Sequence, residues 1–454
     1  MEKYTGYSAH ASLAMVGIWM KENAIWEQVE KWVKIRQKVI RHSPTDKLKD
    51  LLVNILAGGQ AVVEVNSGVR VDKALQLAFG RQGCAEQSTI SETLNASGEE
   101  NVQQMRQALR AIYQRQGAGY RHGYKASCQI LDIDLSGLLA GQQAEGASKG
   151  YFSGHRNGRG RQLGRVSASR YEEIVCEKLY AGKVQLERNL PELVEMAENT
   201  LDLDEKRRKR TVIRMDAGGG TDGNINYLLR RGYFVITKAK NWQRTCKLLK
   251  SVTIWHRLPH WPDHEFGWVE APHVYAAPTR QLAMRWPNPR QPGWCACVLI
   301  FNLTRPLIFE LAGRPCPPTC SELELISTLV EAYDLRCGAI ETSYRNSKQG
   351  LGLNKRNKRS FQAQEMLILL AQLAYNLTHW VQQELAPHSH TLAAFGTLRM
   401  IRDAFQISGR LEFDPHGQLL FITLNRIHKL AQAFHDYCLS RFAYTKLSPI
   451  LGEI

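Results

Sequence analysis

Three acidic residues stand where the pattern of the chain could deliver them to one site. Asp134 closes the run Ile130-Leu131-Asp132-Ile133-Asp134, Asp216 closes Val212-Ile213-Arg214-Met215-Asp216, and Glu341 opens a helical stripe continued by Arg345 and Lys348. Short, largely apolar runs of this kind read as strands, so the two aspartates sit at strand ends. Carboxylates are hard oxygen donors suited to Mg²⁺ or Mn²⁺. Two such cations, when held together, stabilise both the attacking and the leaving oxygen of an in-line displacement at phosphorus. Alternation along a strand puts Asp132 and Asp134 on one face, roughly 6–7 Å apart, and the pattern leaves either as the first ligand. Glu341, Arg345 and Lys348 fall at i, i+4 and i+7 on one helix face. The acid there can hold a cation while the bases hold phosphates.

The composition fits that chemistry. Lys and Arg number 59 against 43 Asp and Glu, a formal charge of +16 over 454 residues, and the expected partner is a polyanion, most simply nucleic acid. Ten cysteines are scattered rather than clustered, as in a cytoplasmic protein with reduced thiols. Cys295, Cys297, Cys316 and Cys320 with His256, His260 and His264 resemble zinc ligands only on paper. Cys295 and Cys297 share one strand face, and Pro259 and Pro262 prevent a single helix from presenting the histidines. The apolar run Ala11 to Met20 continues as a helical period through Trp26, Val29, Trp32 and Val33, which indicates a packed helix. Met366 to Val381 is interrupted by Gln372, Asn376 and His379, so no segment is expected to span a membrane.

The elements that must position the acids divide the chain into five stretches. Residues 1–127 read as a helical, DNA-binding region. Within it, a short helix from Asp72 to Phe79, a turn at Gly80–Gly83 and a second helix from Ala85 to Leu94 resemble a helix-turn-helix with Gln87, Ser88 and Ser91 facing outward. Residues 128–240 alternate strand and helix as the first part of an α/β core. They include the basic stretches Lys149–Arg161 and Lys206–Arg210, candidates for following a phosphate backbone, and helical segments are expected from Tyr171 to about Thr200. Residues 241–320, with short strand patterns, prolines and six of the ten tryptophans, read as a β-rich insertion. Residues 321–385 return to the core with a helix from Ser321 to Tyr333 and a longer one from about Ile340 to Gln383. Residues 386–454 form a C-terminal helical region with a hairpin-like turn at Phe413–Gly417 and a last helix from about Asn425 to Phe442.

The segments LDIDLSGLLAGQQAEGASKGY (131–151), VIRMDAGGGTDGNINYLLRRGYFVITKAKNW (212–242) and YDLRCGAIETSYRNSKQGLGLNKRNKRSFQAQEMLILLAQLAYNL (333–377) resemble insertion-sequence transposases of the DDE type. The resemblance implies an RNase H-like mixed-sheet core interrupted by a β-strand insertion. It further implies an enzyme that cleaves the ends of its element and joins them to target DNA, using two Mg²⁺ or Mn²⁺ ions. Asp134, Asp216 and Glu341 are the implied metal ligands, and Tyr333, Arg336 and Lys348 match a signature that contacts DNA phosphates. Four residues separate Arg336 from Glu341, one more than that signature has. The implied partners are terminal inverted repeats, target DNA and a second copy of the chain, on the bacterial nucleoid. If the insertion stacks an extruded base, Trp268 and Trp286, which neighbour charged residues rather than a continuous apolar run, are the expected platforms. A nuclease of the same fold, or an inactive DNA-binding derivative, are the alternatives.

Overall fold

Burial of the alternating apolar runs builds two compact units, seen in a computed structural model that describes residues 3–38, 41–155, 157–441 and 445–448. One unit comprises residues 118–137 and 162–343; the other comprises 1–117, 138–161 and 344–454.

The first unit is built on a mixed sheet. Its centre is the strand Gln129–Leu139, paired parallel with Thr211–Met215, which pairs parallel with Phe234–Lys238. Thr211–Met215 is buried along its whole length, as a central parallel strand covered on both faces must be. On one side Gln129–Leu139 is flanked by Arg159–Ala168, itself paired with Glu173–Ala181. On the other, Phe234–Lys238 is extended antiparallel by Trp294–Phe301, Arg280–Pro287, Trp261–Trp268 and His256–Leu258. The β-rich insertion therefore continues the core sheet. Helices Leu186–Leu201, Glu205–Arg208, Asp222–Arg230, Trp242–Lys250, Arg305–Leu311 and Glu322–Arg336 belong to the same unit. The last is started by the Ser321 side chain, which accepts from the Glu324 N–H at 3.1 Å, with Glu322 and Glu324 favourably placed at the positive helix end. Its Ile326, Leu329, Val330 and Tyr333 join a core with Val212, Ile236, Leu299 and Phe301.

One local expectation for this unit is corrected. Glu173–Ala181 is strand rather than helix, with Tyr171 closing a short 3-10 turn before it, because Glu173-Ile-Val-Cys-Glu-Lys-Leu-Tyr-Ala packs nearly all of its side chains between covered faces. In the basic run, Arg207 donates to the carbonyls of Leu201 and Asp202, Arg208 to that of Leu203 and Arg210 to that of Tyr124. These half-buried guanidinium groups tie loops together, while Lys206 and Lys209 of the same run are exposed.

The second unit is organised around the helix Phe361–Leu385, which is buried on almost every face. A helix surrounded in this way must be apolar all round, which explains the run that resembled a membrane span; no described helix is long and apolar enough to cross a membrane. The expected continuous helix from Ile340 is interrupted, since residues 351–360 are turn and loop with Gly352 at φ +70°. The N-terminal region is not purely helical. Tyr4–Ser8 pairs antiparallel with Gly409–Phe413, which forms a hairpin with Leu419–Asn425, and Thr445–Ser448 completes a four-stranded sheet. The last helix is Ala431–Arg441, and Phe442 lies outside the described residues. The helices Lys73–Ala78 and Gln87–Asn95 are present. Their connection is fixed by buried Asp50, which pairs with Arg81 at 2.9 Å and accepts from the Ala85 N–H at 2.8 Å. Arg161 is likewise buried, with its guanidinium bound to the carbonyls of Glu145, Lys358 and Arg359.

Candidate active site

Parallel pairing of Gln129–Leu139 with Thr211–Met215 sets Ile133 opposite Met215, so Asp216 leaves the sheet beside Asp134, which is not at a strand end as expected but within a strand that runs on to Leu139. Ligand-binding residues gather at such carboxyl ends of parallel strands. Behind Asp216 the chain turns through Gly218-Gly219-Gly220. A Cβ on Gly220 would lie 1.9 Å from the Lys238 carbonyl oxygen, and one on Gly218 would lie 2.9 Å from Asp216 Oδ1, so larger residues would force the turn and its acid apart. The Gly218 N–H donates to Asp216 Oδ1 at 2.8 Å, which aims the carboxylate.

Asp132 and Asp134 differ in burial and in partners. Asp132 is fully buried and accepts from Arg214 Nε and Nη2 at 2.6 and 2.8 Å, with Ser169 donating to it as well. Both of its oxygens are committed to the interior. Asp134 stands one step further, at 18% side-chain exposure, and meets Arg336 Nη2 at 2.8 Å. Burial pushes the Asp134 carboxyl up to about 6, with Arg336 opposing the rise and the neighbouring Asp216 charge adding to it.

The helix that carries the third acid is fastened to these strand ends at three successive points. Arg214 Nη1 donates to the Ala332 carbonyl at 2.8 Å, the Tyr333 hydroxyl donates to the Met215 carbonyl at 3.1 Å, and Arg336 pairs with Asp134. Tyr333 is buried with its hydroxyl engaged in this way, so the residue expected at a phosphate is here an anchor. Past Arg336 the helix leaves α geometry: Cys337–Glu341 is a π-helix, and after Thr342–Arg345 a second π segment spans Asn346–Gly350. A π turn closes i to i+5 where an α turn closes i to i+4. It accommodates the extra residue between Arg336 and Glu341 and returns Glu341 toward the helix face of Arg336. Glu341 is exposed. Among the described residues, no three His, Cys, Asp or Glu side chains are gathered as a metal cluster, so Asp134 and Asp216 are brought together and Glu341 does not complete a three-ligand set with them.

The chain belongs to the transposase DDE domain family. Residues 125–377, more than half of its length, match that family. The transposase is therefore a polynucleotidyl transferase of the DDE type. No curated protein matches it. A cryo-EM structure of the piggyBac transposase synaptic complex with hairpin DNA is similar over 89% of this chain and 84% of that one, at 10% identity and a TM-score of 0.43. That likeness is too slight to carry an argument.

The remaining expected site residues of the transposase fall elsewhere. Arg345 is exposed and Lys348 half-buried, both in the second unit. Gln87 and Ser88 begin their helix, Ser88 exposed, whereas Ser91 accepts from Lys358 Nζ at 2.9 Å and is not presented outward alone. Trp268 and Trp286 are not exposed platforms. Trp286 shares the strand face of Leu282 and Met284, and Trp268 is the cross-strand partner of Leu282, so pleating turns both toward the core. Arg280 covers the Trp268 ring at 3.9 Å, and His264 stacks on Trp286 at 5.3 Å. The exposed indoles of this region are Trp242 and Trp294, at 57% and 48%. Composition alone could not separate them, since a neighbouring charge marks neither strand face. Arg214, which makes Asp132 structural, was also missed; its only signal is a charge inside an otherwise apolar strand.

Proposed function

We propose that this transposase cleaves the ends of its own insertion sequence and joins the freed 3′ ends to target DNA, with Asp134, Asp216 and Glu341 as its carboxylates. The observation that supports this most is that Asp134 and Asp216 are neighbours where the parallel ladder of their two strands stops, inside the matched domain. Hard oxygen donors, a raised Asp134 pKa and a mutual repulsion that needs a counter-charge all suit Mg²⁺ or Mn²⁺. Such cations, when bound, supply charge stabilisation at the attacking and leaving oxygens. Asp134 and Asp216 would hold them, and Glu341, which does not complete a set with them in the DNA-free chain, would join them only on a rearrangement of the π segment.

The chain's own residues do the rest. The Gly218 N–H aims Asp216, while Tyr333 and Arg214 hold the helix end against the sheet. Arg336, Arg345 and Lys348 are assigned to phosphate oxygens, Gln87 and Ser88 to end DNA, and two copies of the chain to the two ends of one element. The test is a strand-transfer assay with Mg²⁺ and the DNA flanking the gene. Joined products are expected; cleavage without joining would make the protein a nuclease, and binding without either would make it a regulator.

The π turn carries a separate expectation. Gly338 is exposed, and a Cβ there would meet nothing within 4 Å, so its loss costs little packing. Deleting Gly338 converts the segment to continuous α-helix with Glu341 four residues past Arg336, and cleavage should stay within roughly tenfold of the parent. Deleting Ser327, in the regular part of the helix, rotates everything downstream by about 100° and should abolish it. Equal loss in both deletions, read in the same cleavage assay, would separate the π turn from the placement of Glu341.

A further inference from the structure

We propose that Arg336 is the resident counter-ion of the Asp134–Asp216 pair, so that a divalent cation and the Arg336 guanidinium compete for the same carboxylates until a DNA phosphodiester draws the guanidinium away. The proposal rests on the reading of the two aspartates as a cation site and adds how that site is kept closed.

Arg336 is 3% exposed on its side chain, meets Asp134 at 2.8 Å and feels the charges of Asp216 and Asp132. The guanidinium thus does for the two carboxylates what a cation would do. Its Nε, although buried, has no hydrogen-bond partner. An interior donor left unsatisfied in this way marks a place where a further acceptor is expected, and a phosphodiester oxygen pair matches the fork of a guanidinium. The backbone on either side sets which part moves. Ala332 and Tyr333 are pinned to Arg214 and to Met215, so the helix end stays in place and the exchange falls to the Arg336 side chain.

Charge arithmetic then couples the ligands. Two carboxylates and one guanidinium leave a single negative charge; a divalent cation entering beside Arg336 meets repulsion that an anion on Arg336 relieves. By linkage, DNA tightens the cation by the factor with which the cation tightens DNA.

The test is Mn²⁺ titration of the full, DNA-free chain, with free Mn²⁺ read by electron paramagnetic resonance. Arg336→Gln should bind Mn²⁺ about tenfold or more tightly than the parent, because one positive charge has left the site. Arg336→Met, which fills the same buried space, should shift the same way, and Arg336→Lys should remain within a few-fold of the parent. Adding Asp216→Asn to Arg336→Gln should remove the gain. Equal or weaker Mn²⁺ binding in Arg336→Gln and Arg336→Met, with folding verified by circular dichroism, would overturn the competition while leaving the aspartates as a cation site. Should either neutral variant fail to fold, the other decides. Should neither fold, dimethyl phosphate must tighten Mn²⁺ on the parent chain, and no tightening overturns the proposal. Absence of Mn²⁺ binding that depends on Asp216 in every variant would overturn both readings.

Discussion

Asp216→Asn is expected to abolish strand cleavage while DNA affinity stays within about twofold, because the change removes one charge from a site whose phosphate contacts come from other residues. Charge stabilisation of a transferring phosphoryl oxygen is worth several kcal/mol, and about 4 kcal/mol corresponds to about a thousandfold in rate. Asparagine keeps the acceptor that receives the Gly218 N–H, so the turn built on Gly218 and Gly220 should survive. The loss would then be chemical. Gel-shift affinity and single-turnover cleavage, measured on the same preparation, decide the matter. A parallel fall in both would make Asp216 a structural residue and withdraw it from the site. Neutralising one carboxylate also leaves Arg336 facing Asp134 alone, so any tighter grip on DNA in the variant would report the electrostatics of the pair rather than new contacts.

What the chain discloses in advance follows from which forces are local. The strand end at Asp216 was legible because an apolar run ends there, whereas Asp134 lies inside a strand that continues to Leu139 after its apolar run has stopped. The helix bearing Tyr333 was legible from its Ser321 start, although it runs on to Arg336, past its expected end. Pairing partners distant in sequence were not. Nothing near Tyr4 announces Phe413, although the two are register neighbours in one sheet. The π turn has no pattern of its own and shows only as one residue too many between Arg336 and Glu341. Tryptophan exposure was misjudged because strand face, set by pleating against Leu282 and Met284, outweighs the charge of a neighbour in sequence. The same limit applied to Asp132 and Asp134, which alternation leaves equivalent until Arg214 is seen to occupy one of them.

That last distinction has a large energetic consequence. Asp132→Ala should destabilise the unit that contains it by about 3–5 kcal/mol, the cost of leaving a buried charge without its partner. The Arg214 guanidinium, at 3% exposure, would keep its bond to the Ala332 carbonyl but lose both carboxylate oxygens. Replacing both residues together, Asp132→Leu with Arg214→Met, should recover much of the loss, since well-packed apolar pairs often match buried ion pairs. Asp216→Asn, by contrast, should stay within about 0.5 kcal/mol of the parent, as substitutions outside packed interiors do. Urea unfolding followed by circular dichroism measures all three. If Asp132→Ala unfolds at the parent's midpoint, the Arg214 pair contributes nothing to stability, and burial would no longer be a reason to prefer Asp134 at the site. If it is destabilised as expected, the two aspartates of one strand face have been separated by role: one holds the helix and sheet together, and the other is left available for chemistry.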